Sequence, residues 1–122
     1  MKNLVAVEDD EDMRLLIRMR LQSDDRLDIV TEVATAAGAL EATRAHRPDL
    51  VILDHFIQGE IMGLQAAPLL KAASPTTKIL LFTDHDLSVE AAREPAIDAY
   101  LPKSRLRDLP HNVRSLLLLP DP

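Results

Sequence analysis

Short apolar runs alternate with amphipathic stretches along this chain, and this alternation is the feature that most constrains its fold. Leu50–Leu53 is the clearest run, because it is continuous and branched, as a parallel strand buried on both faces should be. Four further runs are predicted strands: Leu4–Val7, Leu27–Ala34, Lys78–Phe82 and Ile97–Leu101. Strands that alternate with helices indicate an α/β domain, built here on a doubly wound, five-stranded parallel sheet with helices on both faces.

The stretches between these runs have helical spacing. The first predicted helix follows the acids, and four apolar residues lie close to one of its faces, Met13, Leu16, Ile17 and Leu21. The same spacing predicts three further helices, over Ala36–Ala45, Leu64–Ala73 and Ser88–Arg93. Pro95 prevents the last of these from continuing. A fifth helix should begin near Asp108, with Pro110 in its first turn. It should bury three residues, Val113, Leu116 and Leu117.

Composition limits the possible functions. The chain has 122 residues, 47% apolar and 28% charged, which suits one globular domain over residues 1–119 and a tail over 120–122. A formal net charge of −6 and only 2% aromatic residues argue against nucleic-acid binding. Cysteine is absent, and no apolar run approaches the roughly 20 residues that span a bilayer, so we expect a cytoplasmic protein without membrane contact. Only Pro120, Asp121 and Pro122 follow Leu119, so we expect no output domain after it.

Polar residues stand at the ends of four predicted strands. Glu8 and Asp9 follow the first strand, Asp54 follows the third, Thr83 ends the fourth, and Lys103 stands just beyond the fifth. Parallel strands bring these residues to one edge of the sheet, where open α/β sheets bind ligands. Crowded carboxylates repel one another unless a cation is present, and Mg²⁺ suits such a site. Carboxylate, metal, lysine and hydroxyl together indicate aspartyl-phosphate chemistry, although each acid taken alone is most often a turn residue or helix cap.

Four segments, in this order, resemble the receiver domain of two-component response regulators. They are Val7–Arg14, Pro48–Asp54, Leu80–Thr83 and Ala99–Ser104. The resemblance covers essentially the whole chain and implies a flavodoxin-like, CheY-like fold with strand order 2-1-3-4-5. It further implies that residues 1–119 form a single-domain response regulator, a signalling protein and not an enzyme. Its partners would be a sensor histidine kinase or a histidine phosphotransfer protein, and a downstream protein that the sequence does not identify.

The resemblance also implies a metal site around the phosphoacceptor. Asp54 would accept the phosphoryl group and contribute to Mg²⁺ binding. Asp9 would bind Mg²⁺ directly, and Glu8 would act mainly through a metal-bound water. The backbone carbonyl of Phe56, two residues after Asp54, would complete the protein ligands.

Three other residues would carry the response to phosphorylation. Lys103 would pair with Asp54 or with its phosphoryl group. Thr83 would move to donate a hydrogen bond to a phosphoryl oxygen, and Tyr100 would turn inward to fill the space that Thr83 leaves. Such a coupled pair is a two-state element through which a local change of charge reaches a distant face.

Departures from the family's pattern leave a degenerate receiver open as an alternative. The loop Gln58–Gly63 lacks the family's usual proline and carries an extra residue, and Asp84 stands where a small residue is usual. A carboxylate there would repel an incoming phosphoryl group, unless it points into solvent. The segment from Thr83 to Lys103 is also shorter than is typical. A degenerate receiver would bind a partner protein without being phosphorylated.

A second alternative is an enzyme, either a metal-dependent phosphohydrolase or a transition-metal site. His55 and His85 lie beside Asp54 and Asp84, and imidazole with carboxylate suits zinc or iron. Neither histidine has a close partner at helical ligand spacing, so each is also readily explained as a loop residue.

Overall fold

Five parallel strands form the centre of the computed structural model, which describes residues 1–122. They are β1 (Lys2–Val7), β2 (Leu27–Val33), β3 (Leu50–Leu53), β4 (Lys78–Thr83) and β5 (Ala99–Pro102). Their order in the sheet is β2-β1-β3-β4-β5, and every neighbouring pair is parallel. The predicted doubly wound fold and strand order are therefore confirmed. The central strand β3 is fully buried, as its continuous apolar sequence requires.

Helices cover both faces of this sheet. They are α1 (Glu11–Leu21), α2 (Ala36–His46), α3 (Gly63–Ala73), α4 (Ser88–Arg93) and α5 (Leu109–Leu116), with a 3₁₀ helix at Lys103–Asp108. One core lies between the sheet and α2, α3 and α4, and a second core lies between the sheet and α1 and α5. No helix of the chain has both the length and the apolar character needed to cross a membrane.

The first helix begins inside the acidic run. The Asp10 carboxylate accepts a hydrogen bond from the backbone N–H of Asp12 at 3.0 Å, which caps α1. Ile17 and Leu21, four residues apart, are buried, whereas Leu16 is 38% exposed. Leu16 therefore lies at the solvent-exposed edge of the apolar face. Only a narrow stripe of α1 faces the sheet, and consecutive helical residues point about 100° apart.

The last strand differs from its predicted bounds, whereas the last helix begins next to Asp108 with Pro110 in its first turn, as predicted. β5 begins at Ala99, two residues after the predicted Ile97. Just before the β4–β5 ladder, the Asp98 side chain accepts a hydrogen bond from the backbone N–H of Ile79 at 2.8 Å, and the register pairs begin with Leu80 and Ala99. The 3₁₀ helix that follows was not predicted. In α5, Val113 is fully buried, as predicted, but Leu116 and Leu117 are only half-buried.

Candidate functional site

The carboxyl ends of β1 and β3 lie side by side. Val7 and Leu53 are register partners, and the backbone N–H of Asp54 donates to the Val7 carbonyl at 3.0 Å. The backbone N–H of Glu8 donates in turn to the Val33 carbonyl of β2 at 2.9 Å. These bonds fix the backbone from which the Glu8 and Asp54 side chains leave the sheet.

Lys103 reaches both carboxylates from the start of the 3₁₀ helix. Its Nζ lies 2.6 Å from Glu8 Oε1 and 2.9 Å from Asp54 Oδ2. The contact to Asp54 is a hydrogen bond, whereas Glu8 Oε1 lies at ion-pair distance but outside hydrogen-bond geometry. The three side chains are almost completely buried, at 8% exposed for Lys103, 1% for Glu8 and 5% for Asp54. One ammonium thus faces two carboxyl groups in a site of low water content.

This burial changes how the site holds protons. Burial raises the pKa of Glu8 to about 7, and repulsion from Asp54 adds to it, although the close contact with Lys103 and a hydrogen bond from the backbone N–H of Asp10 oppose the shift. Burial alone would lower the pKa of Lys103, but its contacts with Glu8 and Asp54 outweigh burial and raise it. The lysine stays charged at neutral pH, and the raised pKa of Glu8 lies close to neutral pH.

The residues present fit a hard divalent cation. Glu8, Asp9 and Asp54 each offer a carboxylate oxygen, and these oxygens lie within 4.8 Å of one another. Asp54 Oδ1 is buried and has no hydrogen-bond partner in the protein, so it is available to a ligand. Asp9 is exposed and can meet an ion from the solvent side. An all-oxygen set with one exposed member is the donor chemistry that Mg²⁺ prefers. Neither His55 nor His85 belongs to this cluster, which counts against the transition-metal alternative.

Thr83 and Tyr100 lie on neighbouring strands but form no hydrogen bond with each other. Thr83 is fully buried, and its Oγ1 has no hydrogen-bond partner. Tyr100 is half-buried, and its hydroxyl donates to the backbone carbonyl of His85 at 3.0 Å. Thr83 therefore carries an unsatisfied donor near the carboxyl edge of the sheet, while the Tyr100 hydroxyl is occupied at the loop after β4.

Aromatic rings pack together beside the acidic cluster. The Phe56 ring lies between two imidazoles, with ring centroids 4.8 Å from His55 and 4.2 Å from His85. The Phe56 side chain remains 41% exposed, and Asp84 is exposed as well. Burial lowers the pKa of His55, with Asp54 acting in the opposite direction and His85 in the same one.

Sequence reasoning missed the role of Gly63 in this site. Gly63 begins α3, and its backbone N–H donates to the His55 carbonyl at 2.8 Å. A Cβ on Gly63 would overlap the backbone carbonyl of Asp54 and lie 2.8 Å from the Cα of His55. The first turn of α3 therefore packs directly on the backbone of Asp54. The only available signal was a glycine directly before a predicted helix. It did not indicate which residues Gly63 would contact, because Asp54 and His55 follow a different predicted element.

We expect Gly63→Ala to destabilise the fold by about 2 kcal/mol, because the new methyl group meets backbone atoms that cannot rotate away. Urea unfolding measures this change. Gly38→Ala is the matched control, since a Cβ there meets mainly side-chain atoms, Thr35 Oγ1 at 3.1 Å and Val33 Cβ at 3.2 Å. Equal stability of Gly63→Ala and wild type would contradict the close packing described here.

These features define the class of the protein as a doubly wound α/β protein with an acidic pocket and a buried lysine at the carboxyl edge of its sheet. A family model, the response regulator receiver domain, matches residues 4–114, and the chain belongs to this family. It is a receiver domain of a two-component response regulator. Receiver domains are signalling switches, response regulators interact with histidine kinases, and phosphorylation and Mg²⁺ binding are typical of the family.

The chain is also similar to individual relatives and solved structures. The response regulator protein VraR of Staphylococcus saprophyticus is 27% identical over 103 residues, which are 83% of this chain and 49% of that protein. The chain thus spans about half the length of these relatives. A two-component response regulator of the LuxR family from Aurantimonas sp. SI85-9A1 superposes with a TM-score of 0.85, at 25% identity, over 97% of this chain and 86% of that one. The response regulator domain of Thermotoga maritima CheB shares the fold, with a TM-score of 0.84 at 16% identity over 100% and 99% of the two chains.

Proposed function

We propose that this chain is a phosphorylation switch in which Asp54 accepts a phosphoryl group from a sensor histidine kinase or a histidine phosphotransfer protein. The observation that carries this proposal is the buried pair of Lys103 and Asp54, 2.9 Å apart, in which Asp54 keeps its second oxygen, Oδ1, without a partner. A carboxylate fixed by one oxygen and free at the other is oriented to act as a nucleophile.

The bound cation would be Mg²⁺, held by Glu8, Asp9, Asp54 and the backbone carbonyl of Phe56. When bound, Mg²⁺ neutralises negative charge on the phosphoryl oxygens and on the crowded carboxylates. Burial keeps part of Glu8 protonated at neutral pH, so this residue gives up its proton when the site is filled. The exposed position of Asp9 gives an ion access to the pocket from solvent.

The transfer itself exchanges one bond to phosphorus for another. A carboxylate oxygen of Asp54 forms a bond to the phosphorus of a phosphohistidine, the P–N bond breaks, and the leaving imidazole nitrogen keeps the bonding electron pair and takes up a proton from solvent. Lys103, already in contact with Asp54 Oδ2, stays close enough to compensate the added charge. The product is an aspartyl phosphate on Asp54.

The switch would use Thr83 and Tyr100. The Thr83 hydroxyl is buried without a partner, which costs free energy, and a phosphoryl oxygen at Asp54 would supply the missing acceptor. Movement of Thr83 would leave space for the Tyr100 ring, and the inward turn would break the Tyr100 hydrogen bond to His85. The loop after β4 would thereby change its surface and report the phosphorylated state.

Residues 1–119 are proposed to form this receiver domain, with residues 120–122 as its C-terminal tail. A downstream protein, and not nucleic acid, is proposed to recognise the phosphorylated surface, because the net charge of −6 disfavours contact with phosphate backbones. The match with VraR covers about half of that relative's length.

Intact mass after incubation with acetyl phosphate and Mg²⁺ tests the proposal. Wild type should gain the mass of one phosphoryl group, whereas Asp54→Asn should gain none. Asp28→Asn is the matched control, because Asp28 is an exposed aspartate on the edge strand β2, and it should behave as wild type. A wild-type protein that stays unmodified would instead support the degenerate receiver.

Beryllofluoride with Mg²⁺ separates the same two functions without covalent chemistry. In a working switch, this phosphoryl mimic should shift the NMR signals of Thr83 and Tyr100. A degenerate receiver should leave both signals in place.

A further inference from the structure

One residue beside the phosphoacceptor closes the loop between β3 and α3. The imidazole Nδ1 of His55 accepts a hydrogen bond from the backbone N–H of Leu64 at 3.2 Å. The backbone carbonyl of His55 accepts two more, from Gly63 at 2.8 Å and from Ile57 at 3.1 Å. Through these hydrogen bonds, His55 connects the start of the segment 56–62 with the residues that follow its end. His55 is itself the residue next to Asp54 in the sequence.

The ring contact completes a helix cap that the sequence of α3 provides only in part, since Gln65 Oε1 accepts the backbone N–H of Met62 at 3.2 Å. Met62 occupies the N-cap position, and its side chain has no oxygen to accept the first free N–H groups of the helix. The His55 imidazole performs this task for Leu64. Because Nδ1 accepts the bond, it carries no proton, and the neutral ring is protonated on Nε2. The start of α3 and the turn after β3 therefore hold each other in place.

The loop that His55 closes is fixed at two further positions. The Ile57 side chain is buried at 6% exposure, and the backbone N–H of Gln58 donates to the Ala34 carbonyl at 3.1 Å. Phe56, whose carbonyl is a proposed metal ligand, lies between His55 and these anchors. Without the ring contact to Leu64, the peptide between Asp54 and Ile57 would keep only its backbone bonds.

We propose that His55 is a positioning residue: through Nδ1 it anchors the Asp54–Phe56 turn on the first turn of α3 and so holds the Phe56 carbonyl and the Asp54 carboxylate in place for a divalent cation. This inference rests on the proposed function, because it concerns the same site. It assigns the imidazole no contact with the metal or the phosphoryl group. Groups that orient metal ligands typically change metal affinity by about 10- to 100-fold when they are removed.

Calorimetric titration with Mg²⁺ of wild type, His55→Ala, His55→Asn and His46→Ala tests this role. We expect His55→Ala to bind Mg²⁺ about tenfold more weakly than wild type. His55→Asn should recover most of the affinity, because the asparagine Oδ1 can occupy the place of Nδ1 as an acceptor. His46→Ala removes an exposed histidine at the end of α2 and should bind as wild type does. Amide NMR spectra of each variant show that it is folded before titration.

The outcomes separate the two proposals. Equal Mg²⁺ affinity of His55→Ala and wild type, or equal weakening by alanine and asparagine, would overturn the positioning role while the switch function stands. Failure of wild type to bind Mg²⁺ at all would overturn the metal site itself, and with it this inference. A long-range ¹H–¹⁵N NMR spectrum adds a readout without metal, since His55 should be protonated at Nε2, and protonation at Nδ1 would contradict the contact with Leu64.

Discussion

Replacement of Lys103 by methionine is expected to lower the free energy of unfolding by about 3 kcal/mol at mildly alkaline pH in the absence of divalent cations. The methionine fills a similar volume but leaves Glu8 and Asp54 facing each other in a buried site without a counter-charge. The loss should be smaller under mildly acidic conditions, because Glu8 can then take up a proton and remove one of the two charges. Urea unfolding at the two pH values measures both effects.

Mg²⁺ distinguishes the loss of charge from a loss of packing in this variant. The cation should recover more stability in Lys103→Met than in wild type, since it supplies positive charge where the ammonium is missing. Phosphoryl uptake from acetyl phosphate should nevertheless be slower by about 100-fold, as for other buried groups that stabilise developing charge. Lys78→Met, which removes an exposed lysine at the start of β4, should change neither property. Wild-type stability of Lys103→Met without cations would refute the ion pair described here.

The strands were predictable because burial on both faces leaves a direct trace in sequence. Leu50–Leu53 has no polar residue, which indicates a central strand, and the polar residues after each strand were then expected at one edge of the sheet. The juxtaposition of Glu8, Asp54 and Lys103 follows from topology alone. Which carboxylate lies nearer the ammonium does not, because the 2.6 Å and 2.9 Å contacts depend on the unpredicted 3₁₀ helix that carries Lys103.

The parts of the site that sequence did not predict are contacts between a backbone and a neighbouring element. Gly63 packs on the Asp54 backbone, and the His55 imidazole caps α3, yet neither contact has a periodicity or a spacing that a single sequence displays. His55 was interpreted as a loop residue, or as a ligand in the enzyme alternative. Its acceptor role becomes visible only when Met62, a residue unable to cap, is seen to begin the helix.

The raised pKa of Glu8 predicts how stability depends on pH. The pKa of Glu8 is about 7 in the folded protein against an ordinary value of 4.5, so between these values the folded protein holds a proton that the unfolded chain releases. The contribution of Glu8 to the free energy of unfolding is therefore fully present below the pKa that Glu8 has in the unfolded chain. It is lost as the pH rises to about 7. From about pH 5 to about pH 8, we expect metal-free wild type to lose roughly 2–3 kcal/mol relative to Glu8→Gln, whose amide does not titrate.

The difference in unfolding free energy between wild type and Glu8→Gln separates the effect of Glu8 from that of other groups that titrate. The lowered pKa of His55 acts in the opposite direction, but it is common to both proteins and cancels in the difference. The raised pKa of Lys103 adds nothing in this window, because its stabilisation is lost only well above neutral pH. Glu41→Gln, at an exposed position of α2, should give a difference from wild type that does not vary with pH.

Mg²⁺ binds the ionised site, so adding it under alkaline conditions should restore the stability of wild type and have less effect on the stability of Glu8→Gln. A wild-type minus Glu8→Gln difference that stays flat across the window would show that Glu8 is ionised throughout, and that burial does not control this carboxyl.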